Sequence, residues 1–137
     1  MLKHSFQKIY LGNIKIKMDK FYLFTSSRKD KKYTMAFPKY GMSTSFGQRG
    51  FRDYTLINDR NSKYYIDDEK ERRRIKQGYQ NRHRTDNIDD FRSAGSLSWY
   101  ILWSGRNLSD GIKAYEDRHN CIVIDKTDTL FKKNIVN

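Results

Sequence analysis

The aromatic side chains of this sequence constrain most strongly what it can fold into. Its 137 residues include ten Tyr, eight Phe and two Trp, whereas its mean hydropathy is −0.95 and hydrophobic residues make up only 36%. Each aromatic side chain buries a large area, so a thin core built on them can hold a fold. A chain of this length usually forms one compact domain. We therefore predict a folded centre with loosely attached ends.

Several classes of protein are excluded by the sequence. No apolar run approaches the roughly 20 residues that a membrane span needs, so no span is expected. Charged residues interrupt each apolar stretch near the N-terminus, which is therefore a poor secretory signal peptide. The single cysteine, Cys121, excludes an internal disulfide and is typical of a reducing compartment. Because Cys121 lies in an apolar run, it is predicted to be a buried, unreactive thiol.

Positive charge is concentrated in the first third of the chain. Residues 1–49 hold 11 basic and 2 acidic residues, a net charge of +9, whereas residues 50–137 contribute only +3 of the total of +12. The bases of the first third alternate with Tyr and Phe, and such a segment attracts anions at long range and packs at close range. The alternative to binding an anionic partner is that the positive charge only keeps a small domain soluble. The bases predicted to bind a partner are Lys15, Lys17, Lys20, Arg28, Lys29, Lys31 and Lys32.

The first half of the chain favours β-structure. Residues 14–18 alternate at a period of two, which indicates a short strand or an extended arm. Apolar and aromatic runs at residues 21–24, 33–37 and 42–46 are separated by turn signals rich in Gly, Pro and Ser. These runs predict a small antiparallel β-meander of two or three strands.

The second half of the chain favours helices. A helix is predicted over residues 68–82, with Asp67 as its cap and acidic residues in its first turn. A short aromatic helix is predicted over residues 97–103, and a further helix, capped by Asn107 or Ser109, is predicted to end at residue 119.

These elements together predict an α+β fold, in which the β-meander is followed by two or three short helices. A short buried strand is expected at residues 121–124. Residues 1–20 are interpreted as a basic extended arm, residues 21–124 as one small α+β domain and residues 125–137 as a C-terminal tail.

No group of residues predicts a catalytic or metal site. The three histidines His4, His83 and His119 lie far apart in the sequence, and no pair has the close spacing of a zinc site. The carboxylates do not single out an acid–base pair, and basic neighbours keep them ionised. We therefore expect no metal, no cofactor, no small-molecule ligand and no enzymatic activity.

The densest basic cluster lies on the predicted helix over residues 68–82. Successive helical residues point about 100° apart, so three consecutive arginines cannot all face one partner. A solvated face paired with the preceding acidic residues is one interpretation, and contact with phosphate is the other. The second interpretation adds Arg72, Arg73 and Arg74 to the predicted binding residues.

A set of spaced motifs joins the two halves of the chain. It consists of Phe46-Gly47, Gly50, Asp53-Tyr54-Thr55, Asp59, Tyr79-x-x-Arg82-His83, Ser93-Ala94-Gly95, the segment from Trp99 to Trp103, Leu108 and Ile112. The set resembles a family of small basic proteins encoded by nucleocytoplasmic large DNA viruses, such as those that infect algae and amoebae. The resemblance covers about residues 33–119. It departs from the family pattern at Ile57, where the family often has His, and at residues 63–74, which look like an insertion.

The resemblance implies a virion component, made in the cytoplasm of the host cell and without catalytic activity. It marks as the structural motif of the domain Phe46, Gly47, Gly50, Asp53, Tyr54, Tyr79, Arg82, His83, Trp99 and Trp103.

Two functions remain open on this basis. In the first, the protein is a basic minor capsid protein that cements the acidic surfaces of its capsid neighbours. In the second, it binds packaged viral DNA without sequence preference, neutralising phosphates and releasing counterions. The aromatic residues among the bases and the acidic residues of the second half favour protein neighbours. The capsid role is therefore the leading hypothesis.

Overall fold

Six strands are present in the structure, a computed structural model that describes residues 8–11 and 14–134, with side chains from residue 17 onward. Two of them, β1 (Lys8–Leu11) and β2 (Ile14–Lys17), pair antiparallel with each other as a separate hairpin. The other four form the central sheet: β3 (Lys20–Thr25), β4 (Lys31–Phe37), β5 (Met42–Gln48) and β6 (Ile122–Leu130).

The central sheet is mixed, with the strand order β5–β4–β3–β6. Strands β3, β4 and β5 are the predicted antiparallel meander, in which Leu23 pairs with Met35 and Tyr33 pairs with Phe46. Strand β6 pairs in parallel with β3. Parallel pairing requires a crossover connection, and the helices of the protein form this connection.

Four helices lie between β5 and β6. They are α1 (Tyr54–Ile57), α2 (Glu69–His83), α3 (Ala94–Leu97), which continues as a π-helical turn over Ser98–Leu102, and α4 (Leu108–His119). Side chains of Asp68, Ser93 and Asn107 cap α2, α3 and α4 by accepting a backbone N–H of the first turn. Helix α1 was not predicted, because a single turn leaves no apolar period in the sequence. No helix in the described ranges is long and apolar enough to cross a membrane.

The hydrophobic core contains side chains from the sheet and from the helices, which confirms the α+β fold class. Its fully buried side chains include Leu23, Met35, Phe37 and Phe46 from the sheet and Ile57, Leu97, Ile101 and Tyr115 from the helices. Trp103 is also buried, at 7% exposure, whereas Trp99 is half-buried against the core. Aromatic residues therefore form much of the core, as the composition predicted.

Both predicted ends of the domain need correction. Met18 is buried and Lys20 pairs with Ile122, so the domain begins before residue 21. Strand β6 continues to Leu130, and the backbone N–H of Phe131 donates to the carbonyl of Thr25, so residues 125–131 are not a free tail. The exposed polar residues of this part of β6 conceal the strand in the sequence, because an edge strand needs few buried side chains.

The predicted extended arm also needs correction. Strands β1 and β2 pair antiparallel with each other, with Lys8 opposite Lys17 and Ile9 opposite Ile16. The strand that the alternation over residues 14–18 indicated is therefore present as β2, and its partner is β1. The side chain of Lys15 lies outside the described residues, whereas Lys17 is exposed.

Candidate functional site

A cleft of about 580 Å³ opens between the end of the β-meander and the helices α2 and α3. The predicted motif residues that line it are Phe46, Gly47, Asp53, Tyr79, Arg82, His83 and Trp103. Five cations line it, namely Lys31, Lys32, Arg52, Arg74 and Arg82, and we call it the basic cleft. Motifs that are widely separated in the sequence thus meet at one surface.

The floor of the basic cleft is aromatic. The ring of Tyr79 stacks on the ring of Trp103, with centroids 4.2 Å apart and planes within 4°. It also stacks on the imidazole ring of His83, with centroids 4.2 Å apart. Burial raises the pKa of Tyr79 to about 12, so its hydroxyl stays protonated at neutral pH. Arg82, three residues after Tyr79, is exposed, and it is His83 that packs on the tyrosine ring.

Two glycines shape the wall formed by β5 and the turn after it. Gly47 has φ +77°, and a Cβ added there would lie 2.8 Å from Cδ1 of Leu102 in the π-helical turn. The absence of a side chain at Gly47 therefore allows β5 to approach α3 closely. Gly50 has φ +89° in the turn where the N–H of Phe51 donates to the carbonyl of Gln48.

Asp53 is a structural residue of the cleft. Its carboxylate accepts from the backbone N–H of Leu56 at 3.1 Å, which caps α1, and its second oxygen lies 2.6 Å from Nζ of Lys32. The Lys32 ammonium also donates to the carbonyl of Phe51 at 2.7 Å. Lys32 was predicted to bind a partner, but its charge is neutralised inside the domain by an Asp53 carboxylate that is only 3% exposed.

The cations that line the basic cleft differ in whether a carboxylate of the protein neutralises them. Arg74 donates to Glu71 through both Nε and Nη2, at 2.8 and 2.6 Å. Lys31, Arg52 and Arg82 form no ion pair with the residues that the structure describes. These three side chains therefore remain able to bind an anion.

An exposed aromatic ring accompanies these cations. Phe51 lines the basic cleft and is 61% exposed, more than any other large hydrophobic residue among those described. Sequence reasoning missed Phe51 and Arg52 as site residues. The signal was present, since both lie between Gly50 and Asp53 of the motif set and form an aromatic–basic pair.

The other bases predicted from the first third of the chain do not form one surface. Arg28 and Lys29 lie exposed in the β3–β4 turn next to the cleft, where Arg28 pairs with Asp30 at 2.9 Å. Arg49 fixes this turn by donating to the carbonyl of Lys31 at 2.6 Å. Lys20 lies at the opposite end of β3, so the structure separates it from the turn.

The three consecutive arginines of α2 point in different directions, as helical geometry predicts. Arg72 donates to the carbonyl of Ile66 at 2.5 Å and lies over the ring of Tyr65. Arg73 lies 3.4 Å from Glu69, and only Arg74 lines the basic cleft. Arg72 and Arg73 thus make contacts within the domain rather than at this site.

The remaining candidates for chemistry each have a structural partner. The Nδ1 of His83 lies 2.9 Å from Asp86, and Nε2 of His119 lies 2.7 Å from Oγ of the buried Ser96. Burial raises the pKa of the Cys121 thiol, which agrees with the predicted buried cysteine. Within the described part of the chain, no group of three or more His, Cys, Asp or Glu side chains could hold a metal ion.

Comparisons with known proteins gave no match for this chain among family models, curated proteins or solved structures.

Proposed function

We propose that the protein is a non-enzymatic binding protein that docks onto the acidic surface of a protein partner through the basic cleft and the adjoining β3–β4 turn. The observation that carries the proposal is the set of three cations, Lys31, Arg52 and Arg82, that form no ion pair among the described residues and lie beside the exposed ring of Phe51. An anionic partner neutralises the cations and covers the ring in one step.

The cations and the aromatic ring contribute differently to such binding. An exposed ion pair contributes about 1 kcal/mol or less, so the cations steer and orient the partner. Burying an exposed aromatic side chain contributes about 2 kcal/mol or more, which makes Phe51 the expected anchor of the interface. Under the family resemblance, the partner is a capsid protein and the complex is part of a virion.

Binding to DNA is the second candidate function. The observation in its favour is again Phe51, because an aromatic ring among lysines and arginines can stack on an unpaired base while the cations contact phosphates. Asp86 favours the first candidate, because a protein partner can place a neutral or basic group against this exposed carboxylate of the cleft, whereas a continuous phosphate backbone cannot.

The test compares two triple charge reversals during infection by the virus that encodes the protein. The first variant combines Lys31→Glu, Arg52→Glu and Arg82→Glu in the cleft. The matched control combines Lys113→Glu, Lys126→Glu and Lys132→Glu, which are exposed bases outside the cleft. The amount of protein in purified particles should fall at least about tenfold for the cleft variant and should not change for the control. Thermal melting curves should show that both variants are folded.

Two results would contradict the proposal. One is equal incorporation of the cleft variant and the control into particles. The other is tight binding of the wild-type protein to duplex DNA that weakens by orders of magnitude between about 50 and about 200 mM salt, with recovery of the protein on the genome. The second result would support the DNA function instead.

A further inference from the structure

We propose that a second cleft of the protein binds a small phosphate monoester. This second cleft has a volume of about 670 Å³ and lies between α1, the segment after it, α2 and the start of α4. A volume of this size is within the range of small-molecule sites. None of the described residues that line it lines the basic cleft, so the proposal does not depend on the docking of a protein partner.

Arg72 of α2 lines the second cleft and has donors that the protein does not use. Its Nη1 donates to the carbonyl of Ile66 at 2.5 Å, whereas its buried Nε and its Nη2 have no hydrogen-bond partner among the described residues. No described carboxylate pairs with Arg72, although the next two arginines, Arg73 and Arg74, both pair with glutamates. Nε and Nη2 form the edge of a guanidinium that binds an oxyanion through two hydrogen bonds. An oxyanion in the cleft contacts Nη2 directly, and a small turn of the side chain brings Nε within its reach.

A second guanidinium without a carboxylate partner lies beside the first. Arg60 and Arg72 both lie over the ring of Tyr65, with their Cζ atoms 5.6 and 5.8 Å from its centroid. Arg60 is exposed and forms no hydrogen bond or ion pair with the residues that the structure describes. Two like charges held against one ring repel each other, and an anion next to both of them relieves this repulsion. A phosphate monoester matches the two arginines because it carries almost two negative charges and three acceptor oxygens.

The other charged residues of the second cleft do not remove this positive charge. Arg106 lines the cleft but pairs with Glu69, so the proposal does not rest on it. Asp59 is the one carboxylate among the described lining residues, and one of its oxygens accepts from the backbone N–H of Asn61 at 2.9 Å. The charges of Arg60 and Arg72 therefore exceed that of Asp59.

Helix α4 adds backbone donors and apolar surface to the same cleft. The side chain of Asn107 accepts from the N–H of Asp110 at 2.8 Å, whereas the N–H groups of Leu108 and Ser109 have no partner inside the helix. Such N–H groups at the start of a helix favour an anion. Leu56 and Leu108 are half-buried and line the cleft. The organic part of a monoester can cover these leucines while its phosphate contacts the arginines.

The binding experiment titrates the full-length protein in NMR with phenyl phosphate, inorganic phosphate and benzoate. At about pH 7.5 a phosphate monoester is mostly a dianion, because its second pKa is about 6. Phenyl phosphate combines this charge with a ring, whereas inorganic phosphate lacks the ring and benzoate lacks the second charge. We expect phenyl phosphate to bind at least about tenfold more tightly than the other two probes, with chemical shift changes at Leu56, Arg60 and Leu108.

Protein variants test the two arginines. Arg60→Gln and Arg72→Gln should each weaken the binding of phenyl phosphate about tenfold or more. The matched control is Arg73→Gln, which removes an arginine that pairs with Glu69 and does not line the second cleft, and it should leave binding unchanged. Arg60→Gln should also leave the melting temperature unchanged, since Arg60 is exposed and forms no hydrogen bond with the described residues. It therefore tests the site even where Arg72→Gln does not fold.

Four results would overturn the proposal. They are no saturable binding of phenyl phosphate at millimolar concentration, binding of benzoate as tight as that of phenyl phosphate, unchanged binding by Arg60→Gln, and equal weakening by Arg73→Gln. Tighter binding of a single-stranded oligothymidine to the same residues would overturn it as well, because the second cleft would then be a nucleic-acid site. The docking function is tested by incorporation into particles, so either proposal can fail without the other.

Discussion

The ammonium of Lys32 lies 2.6 Å from the carboxylate of Asp53, and both side chains are largely buried, at 14% and 3% exposure. Removing one partner of a buried pair leaves an uncompensated charge, which costs about 3–5 kcal/mol. We therefore expect Lys32→Met to lower the free energy of unfolding in urea by about 3 kcal/mol. The pair holds β4 against the start of α1, so this loss reflects the fold rather than partner binding.

The exposed pair of Arg28 and Asp30 is the matched control. These side chains lie 2.9 Å apart but are 58% and 57% exposed, so Arg28→Met should change the free energy of unfolding by less than about 1 kcal/mol. Equal effects of Lys32→Met and Arg28→Met would contradict the structural role assigned to Lys32.

The stacked pair of Tyr79 and Trp103 gives a second prediction. Both rings are buried, and deletion of a buried aromatic ring costs about 3–5 kcal/mol. Tyr79→Ala should cause a loss of this size in urea unfolding, whereas Tyr79→Phe keeps the stacking and should lose about 1 kcal/mol or less. A comparable loss from Tyr79→Phe would show that the hydroxyl, rather than the ring, stabilises this part of the core.

Much of the fold could be predicted from local patterns in the sequence. The meander, α2 and α4 follow from aromatic runs, turn residues and caps, and α2 begins one residue after its predicted start. The parallel pairing of β6 with β3 could not be predicted, because it joins residues about 100 positions apart and depends on how the crossover packs.

The residues that line the candidate site were marked in the sequence as a structural motif rather than as a binding site. The motifs around Gly47, Asp53, Tyr79 and Trp103 were recognised, and the structure brings these residues to one cleft. The roles of individual bases were not predictable, because charge alone does not distinguish a lysine that pairs internally from one that remains open. Lys32 and Lys31 are adjacent in the sequence and differ in this respect.

His119 predicts a dependence of stability on pH. Burial, with a smaller effect of the neighbouring Arg118, lowers the pKa of His119 from 6.5 to about 4. The unfolded chain therefore binds a proton at higher pH than the folded protein, so the stability from the neutral ring is complete above pH 6.5 and declines as the pH falls towards 4. Because the ring is partly exposed, we expect a decline of about 1–2 kcal/mol.

The variant His119→Gln isolates this contribution from that of the carboxylates. Glutamine does not titrate, so urea unfolding between pH 7 and pH 4 should show a shallower loss of stability for the variant than for the wild type. Identical slopes for the two proteins would mean that His119 is protonated equally well in the folded state.

A comparison of Gly47 with Gly50 distinguishes the cost of backbone strain from the cost of a steric contact. Both have positive φ, but a Cβ at Gly47 would lie 2.8 Å from Leu102, whereas nothing lies within 4 Å of one at Gly50. Gly50→Ala should therefore cost only the strain of a left-handed residue, about 1–2 kcal/mol. Gly47→Ala should cost about 1–3 kcal/mol more, because β5 and the π-helical turn must move apart.

Shortening the opposing side chain in the double variant Gly47→Ala/Leu102→Val should recover part of that additional loss, measured as non-additivity in urea unfolding. Equal losses for the two alanine variants, or strict additivity in the double variant, would mean that the contact between Gly47 and Leu102 does not set the wall of the basic cleft.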